Sequence, residues 1–127
     1  MQVIKHIKPE FIDSRGAITR VLNDGVAVKS ILLISSCKDS IRANHYHRKD
    51  SHYSYILSGK AEWHEKPIDG GIEEVEILEA GDMVYTPPMT QHAVRFLEES
   101  VFLAFATEER NQADYEADTV RIELIRP

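Results

Sequence analysis

Ile41-Arg-Ala-Asn-His-Tyr-His47, the link Arg48-Lys-Asp-Ser51, and His52-Tyr-Ser-Tyr-Ile-Leu-Ser-Gly-Lys-Ala-Glu-Trp-His-Glu65 form the stretch that decides the fold. Its side-chain pattern repeats every two residues, not every 3.6, as in a strand with one covered face. Ser58-Gly59 supplies a reversal between two such runs. Working outward, the same period predicts strands over Val3–Ile7, Ala17–Leu22, Val26–Ser35, Ile41–His47, His52–Leu57, Lys60–Glu65, Ile72–Leu78, Met83–Thr86, Gln91–Phe96, Val101–Thr107 and Thr119–Ile125. Asp24-Gly25, Asp69-Gly70-Gly71, Ala80-Gly81-Asp82 and Pro87-Pro88 mark turns between them. Many short strands at regular spacing give an all-β sandwich or barrel. Val101-Phe-Leu-Ala-Phe-Ala is apolar on both faces and reads as a strand covered on both sides. Glu108–Ala117 carries almost no apolar stripe and reads as a surface loop or a single turn.

The 127 residues amount to one domain, 1–127, with 43% apolar and 28% charged residues. No apolar run approaches the roughly 20 residues that span a bilayer, and Met1-Gln-Val-Ile-Lys-His lacks the apolar stretch of a secretory signal. A soluble cytoplasmic protein with no membrane partner is expected. Cys37 is the sole cysteine, so no internal disulfide can form. A net charge of −6 without a basic stripe argues against nucleic acid, yet leaves room for a local basic pocket that takes an anionic small molecule.

Three of six histidines fall within His45-Tyr-His47-Arg-Lys-Asp-Ser-His52. Residues two apart on a strand share a face, so His45 and His47 project together. A reversal at Lys49–Ser51 can bring His52 back beside them. Alternation places His92 with Val94 and Phe96 on the inner face of its strand. Neutral imidazoles suit zinc, nickel, iron, copper and manganese, so one divalent cation (Zn, Mn, Fe or Ni) is the expected cofactor. Hydrogen-bonded histidines without a metal, or histidine bases, are the competing reading. His6 reads as a surface residue, and His64 points opposite to Trp63.

The spacing H-x-H, four residues, His52, six residues, Gly59, followed by Gly81, five residues, Pro87, four residues, His92, resembles the two-motif layout of the cupin superfamily. The match covers about Arg42–Phe96. It implies a cupin-type jelly-roll barrel with His45, His47, His52 and His92 on one metal ion. His52 holds the place of the family's glutamate, Asp39 and Met89 replace glycines, and Phe96 stands where the family often has asparagine. Phe11-Ile-Asp-Ser-Arg-Gly-Ala-Ile-Thr and Arg42-Ala-Asn-His-Tyr-His look like segments of cupin epimerases and ketoisomerases that act on nucleotide-linked deoxysugars in polysaccharide assembly. That resemblance implies Arg42 as a contact to an anionic group and His45 as a base. An Asp-x-Arg-Gly turn can also be purely structural, with the aspartate capping the turn.

Base and metal ligand are competing roles for one imidazole, because a coordinated nitrogen has no free lone pair. With metal on all four histidines, Tyr53, Tyr55 and Tyr85 become the acid/base candidates by their position near the motifs; core packing is their other role. Trp63 is a barrel-lining aromatic that could stack on a sugar face. The favoured function is therefore a metal-binding isomerase or epimerase acting on a carbohydrate-like or sugar-nucleotide substrate. The alternatives are a metal-dependent dioxygenase-type cupin and a non-catalytic small-molecule binding protein. Val3–Ile7 and Thr119–Ile125 are natural sheet edges, and exposed edges invite pairing, so a homodimer is expected.

Overall fold

The computed structural model describes residues 1–22 and 25–127, so Asp24 of the expected Asp24-Gly25 turn lies outside the described residues. The period-two pattern becomes strands β1 Gln2–Ile4, β2 Phe11–Asp13, β3 Gly16–Ile18, β4 Ser30–Ser36, β5 Ile41–His47, β6 His52–Ser58, β7 Lys60–Pro67, β8 Glu74–Glu79, β9 Met83–Thr86, β10 Thr90–Phe96, β11 Ser100–Ala106 and β12 Thr119–Arg121. One helix, α1, spans Gln112–Asp118. Two antiparallel five-stranded sheets, ordered β1-β9-β6-β11-β4 and β12-β5-β10-β7-β8, face each other in the jelly-roll arrangement the alternation implied. The hairpin β2-β3 stands outside both sheets. No helix among the described residues is long and apolar enough to cross a membrane.

The two facing layers meet in a core of Ile56, Ala61, Trp63, Leu78, Val84, Val94, Phe96, Phe102 and Ala104. Each large side chain among them contributes about 1.5–3 kcal/mol by leaving water. The filling tapers along the strands. On β6 and β11 the paired layers run Ile56 with Phe102, Ser54 with Ala104, and His52 with Ala106. Bulk therefore sits at one end, where Phe96 stacks on Phe102 at 5.9 Å, and small residues leave space at the other. Gly59 at the β6–β7 turn is obligatory, because it has φ +92° and an added Cβ would meet the Glu99 carbonyl oxygen at 2.4 Å.

Several elements differ from expectation for identifiable reasons. The C-terminal strand stops at Arg121 instead of continuing to Ile125. A bulge at Ala43 and Asn44, both at positive φ, bends β5 away from it. Asn44 Oδ1 then accepts from Leu124 N (2.9 Å) and Ile125 N (3.0 Å), while its Nδ2 donates to the Ile125 carbonyl (2.9 Å). The segment expected to be a loop or single turn is the two-turn helix α1, which buries none of its residues, so it had no apolar stripe to betray it. Asn111 caps it, with Oδ1 accepting from Asp114 N at 3.0 Å. The Asp13–Gly16 turn has its structural form, with Asp13 Oδ1 accepting from Arg15 N at 2.9 Å. Asp39 and Met89, which replace family glycines, adopt the left-handed conformations a glycine would favour, with φ +70° and +60°.

Candidate active site

The open end of the taper is lined by the histidines. His45 and His47 come from β5, His52 from the start of β6, and His92 from β10, directly opposite His45 in the ladder. The Ala43–Asn44 bulge has a second consequence here. Arg42 and His45 are an odd number of residues apart, yet both line the same cavity, because the bulge absorbs one residue and re-aims the strand. All four imidazoles are buried.

Ring centroids lie 4.6 Å apart for both His45–His47 and His45–His92, 4.8 Å for His47–His52, 5.7 Å for His47–His92 and 5.9 Å for His52–His92. The potential ligand atoms form two triads that share His47: His45, His47 and His92, and His47, Asp50 and His52. Within each triad all ligand atoms lie within 4.8 Å of one another. The four histidines are therefore neighbours, but their potential ligand atoms fall into two triads and not one group of four, and Asp50, in the link between β5 and β6, belongs to the second.

Burial holds every one of these imidazoles neutral at pH 7. It lowers His45 to about 2 and His47 and His92 to about 4, with His52 well below its ordinary value. The hydrogen bonds then fix two tautomers. The Thr119 hydroxyl donates to the Tyr115 carbonyl at 2.6 Å, so toward His47 Nδ1, 3.2 Å away, Thr119 Oγ1 must accept. His47 carries its proton on Nδ1 and presents a bare Nε2. His92 Nδ1 likewise donates to the Thr90 carbonyl at 3.1 Å. The Nε2 atoms of His47 and His52 are buried and make no hydrogen bond among the described residues. Buried imidazole nitrogens without partners, beside a carboxylate, match the donor set of a divalent cation.

The cavity before the histidines measures about 160 Å³, small beside the roughly 300–1,000 Å³ of drug-sized sites, and suits a single sugar-like ring. Trp63, Phe102 and Val94 form apolar wall, while Ser54 and Thr86 add hydroxyl-bearing side chains. Arg42 reaches its edge, with Nε donating to Ser36 Oγ (2.7 Å) and Nη2 to the Ser35 carbonyl (2.9 Å). Two lining residues, Arg110 and Tyr115, come from the segment around α1 and were not anticipated. The Tyr115 ring lies 5.5 Å from His47 and 6.4 Å from His45, with the Arg110 guanidinium 4.2 Å over its face. The Asn111–Asp114 capping pair was the one sequence signal that could have placed a helix, and with it this tyrosine, beside the barrel.

Tyr53, Tyr55 and Tyr85 are not brought to the cavity. The alternation that turns His52 and Ser54 inward sends Tyr53 and Tyr55 to the outer face, where Tyr53 packs on Tyr85 at 4.6 Å. His64 also faces away, with its ring between Glu62 (2.6 Å) and Glu73 (3.2 Å), and His6 is exposed. Inside the barrel, Glu65 accepts from Thr86 Oγ1 at 3.0 Å, and burial raises its carboxyl to about 7.

A family model described as a cupin domain matches residues 38–106. No curated protein matches the chain in sequence. Among solved structures, it is similar to a variant of QdtA, a 3,4-ketoisomerase from Thermoanaerobacterium thermosaccharolyticum in complex with TDP. The identity is 26%, over 94% of this chain and 85% of that one, with a TM-score of 0.72. A 3,4-ketoisomerase from Helicobacter canadensis has the same fold at 18% identity, over 94% and 89% of the two chains, with a TM-score of 0.78. The dTDP-4-dehydrorhamnose 3,5-epimerase from Sulfolobus tokodaii does so at 20% identity, over 90% and 73%, with a TM-score of 0.74.

Proposed function

The chain belongs to the cupin domain family, and from that premise we propose that it is an enzyme moving a proton at the carbon beside a ketone of a nucleotide-linked sugar. The observation that carries this reading is a ring-sized cavity with neutral His45 and the Tyr115 phenol on its wall and two guanidiniums, Arg42 and Arg110, beside it. Neither arginine is in an ion pair among the described residues, so both are free to meet a diphosphate. The TDP complex of the similar ketoisomerase supports a nucleotide as the anionic part.

In this reading His45 accepts the proton from the carbon next to the carbonyl. The C–H electron pair moves into the carbon–carbon bond, and the carbonyl oxygen takes a proton from the Tyr115 hydroxyl, giving an enediol. Return of the proton from His45 to the former carbonyl carbon, with the neighbouring hydroxyl giving its proton to the Tyr115 phenolate and becoming the ketone, isomerises the sugar; protonation of the original carbon by a water-derived proton on the opposite face, with the enediol oxygen returning its proton to Tyr115 and His45 releasing its own to solvent, epimerises it. A resting value near 2 makes His45 a weak base, and the negative diphosphate raises it on binding. Trp63 supplies a flat apolar face for the ring.

The histidine cluster around His47 and His52 is read as the seat of one divalent cation (Zn, Mn, Fe or Ni), supported by the buried Nε2 atoms of these two residues, which make no hydrogen bond among the described residues. Such a cation supplies Lewis-acid polarisation of an oxygen. The base role of His45 requires that its own lone pair stay outside the coordination shell. A homodimer completes the reading, supported by Ile31 and Leu33, which are 65% and 70% exposed on edge strand β4.

The experiment is to incubate the protein with thymidine-diphosphate-linked 4-keto-6-deoxyhexoses and follow the sugar carbons by NMR. A shifted carbonyl or an inverted centre, lost in His45→Asn and slowed at least 10²-fold in Tyr115→Phe, is the expected result. Unchanged sugars across a panel of nucleotide-linked ketosugars would refute it.

A further inference from the structure

Asp50 is 3% exposed, yet among the described residues its carboxylate meets no lysine or arginine in an ion pair. A buried carboxylate without a cation is costly unless something compensates it. Its Oδ1 is fully engaged, accepting from Glu108 N (3.0 Å), Thr107 N (3.1 Å) and Thr107 Oγ1 (3.4 Å). Its Oδ2 lies 3.5 Å from His52 Nε2, which makes no hydrogen bond. Two donors that each bind one ion at about 2.1 Å, at angles between 90° and 110°, lie about 3–3.5 Å apart, so this spacing is that of co-ligands.

We propose that the cation-binding position is the triad His47, Asp50 and His52, and that His45 and His92 stand outside it. This rests on the reading above that the histidine cluster holds a cation, and it names the ligands. Three observations favour this triad over His45, His47 and His92. His47 and His52 each carry a fully enclosed Nε2 with no hydrogen-bond partner among the described residues; His47 belongs to both triads and His52 only to this one. His47 Nε2 has a single lone pair, since Nδ1–H is committed to Thr119, so it serves one ion position and not both. Only this triad contains a negative ligand, which neutralises part of the ion's charge and suits manganese or ferrous iron better than three neutral imidazoles do.

The supporting bonds around the triad have the form expected of outer partners that orient ligands. Asp118, the last residue of α1, accepts from Lys49 N (2.8 Å) through Oδ1 and from Asp50 N (3.0 Å) through Oδ2, which pins the link between β5 and β6. Thr119, next in sequence, sets the tautomer of His47. One end of a short helix thus holds two of three ligands. The arrangement also removes the conflict between ligand and base, because His45 keeps its lone pair and lines the cavity.

The test is titration of chelator-stripped full-length protein with Co²⁺, read by visible absorption and calorimetry, for wild type, His45→Asn, Asp50→Asn and His52→Asn. Asp50→Asn and His52→Asn are expected to weaken Co²⁺ binding at least tenfold and to change the visible spectrum, with His45→Asn within twofold of wild type. Loss of binding in His45→Asn with none in Asp50→Asn overturns the assignment while leaving a cation in the histidine cluster. No Co²⁺, Mn²⁺ or Zn²⁺ binding by wild type overturns the cation reading itself. Should Asp50→Asn fail to fold, Asp50→Glu decides: a ligand change shifts the Co²⁺ spectrum, whereas an identical spectrum shows that Asp50 only clamps the loop.

Discussion

Replacing Thr119 with valine removes a single oxygen and keeps the β-branched shape. In the native protein that oxygen does two things. It accepts from His47 Nδ1–H at 3.2 Å and donates to the Tyr115 carbonyl at 2.6 Å. His47 is 2% exposed, so its N–H loses a buried acceptor that water cannot replace, which costs about 1–3 kcal/mol. The Tyr115 carbonyl lies in the last turn of α1, where solvent can reach it, and adds about 0.5–1 kcal/mol. The sum is about 1.5–4 kcal/mol, read as a shift in the urea midpoint at pH 7 with an unchanged slope. The second consequence is chemical. Without the acceptor, His47 can place its proton on Nε2, and divalent-cation affinity falls about 10–100-fold. Thr119→Ser, which keeps the hydroxyl, restores both quantities. A Thr119→Val protein within 0.5 kcal/mol of wild type and with unaltered cation affinity would refute the tautomer argument.

Met89→Gly relieves a left-handed backbone at φ +60° in an exposed side chain and raises stability by about 0.5–1 kcal/mol, measured by urea unfolding. Glu65 titrates near 7 when folded against 4.5 in the free group, so the fold favours its protonated form. That contribution is complete below about pH 4.5 and is lost as pH rises through 7. Glu65→Gln, which mimics the protonated acid, therefore stabilises by about 3 kcal/mol at pH 8 and leaves stability at pH 4.5 unchanged; a pH-independent effect in paired urea titrations would contradict this. Arg42→Ala raises KM for the nucleotide-linked sugar about tenfold, or about 1.4 kcal/mol, with kcat reduced less than threefold in steady-state assays.

What the sequence made legible was whatever parity controls. His45 and His47 share a face by their spacing, and the match of His92 with Val94 and Phe96 identifies the inner side of β10. The same parity excludes Tyr53 and Tyr55, each an odd step from His52, so their outward placement was implicit in the reading that turned His52 inward. Three features were not legible. The Ala43–Asn44 bulge breaks alternation with two non-glycine residues at positive φ, and no local pattern announces it. Asp50 sits in a four-residue link whose direction is set by Asp118, sixty-eight residues away. Tyr115 reaches the cavity on a helix that carries no apolar stripe, because it covers the barrel with one aromatic ring and not with a packed face, and Arg110 comes from the segment just before that helix.

Carbon–hydrogen bond breaking beside a ketone is the step on which the whole account turns, and mass spectrometry of the substrate in deuterated water reads it directly. The protein is expected to introduce one solvent deuterium at each carbon it labilises in a nucleotide-linked 4-keto-6-deoxysugar, faster than the uncatalysed background, with His45→Asn at background. A substrate that binds in the cavity, protects the protein against thermal unfolding and still keeps all its carbon-bound protium would contradict it.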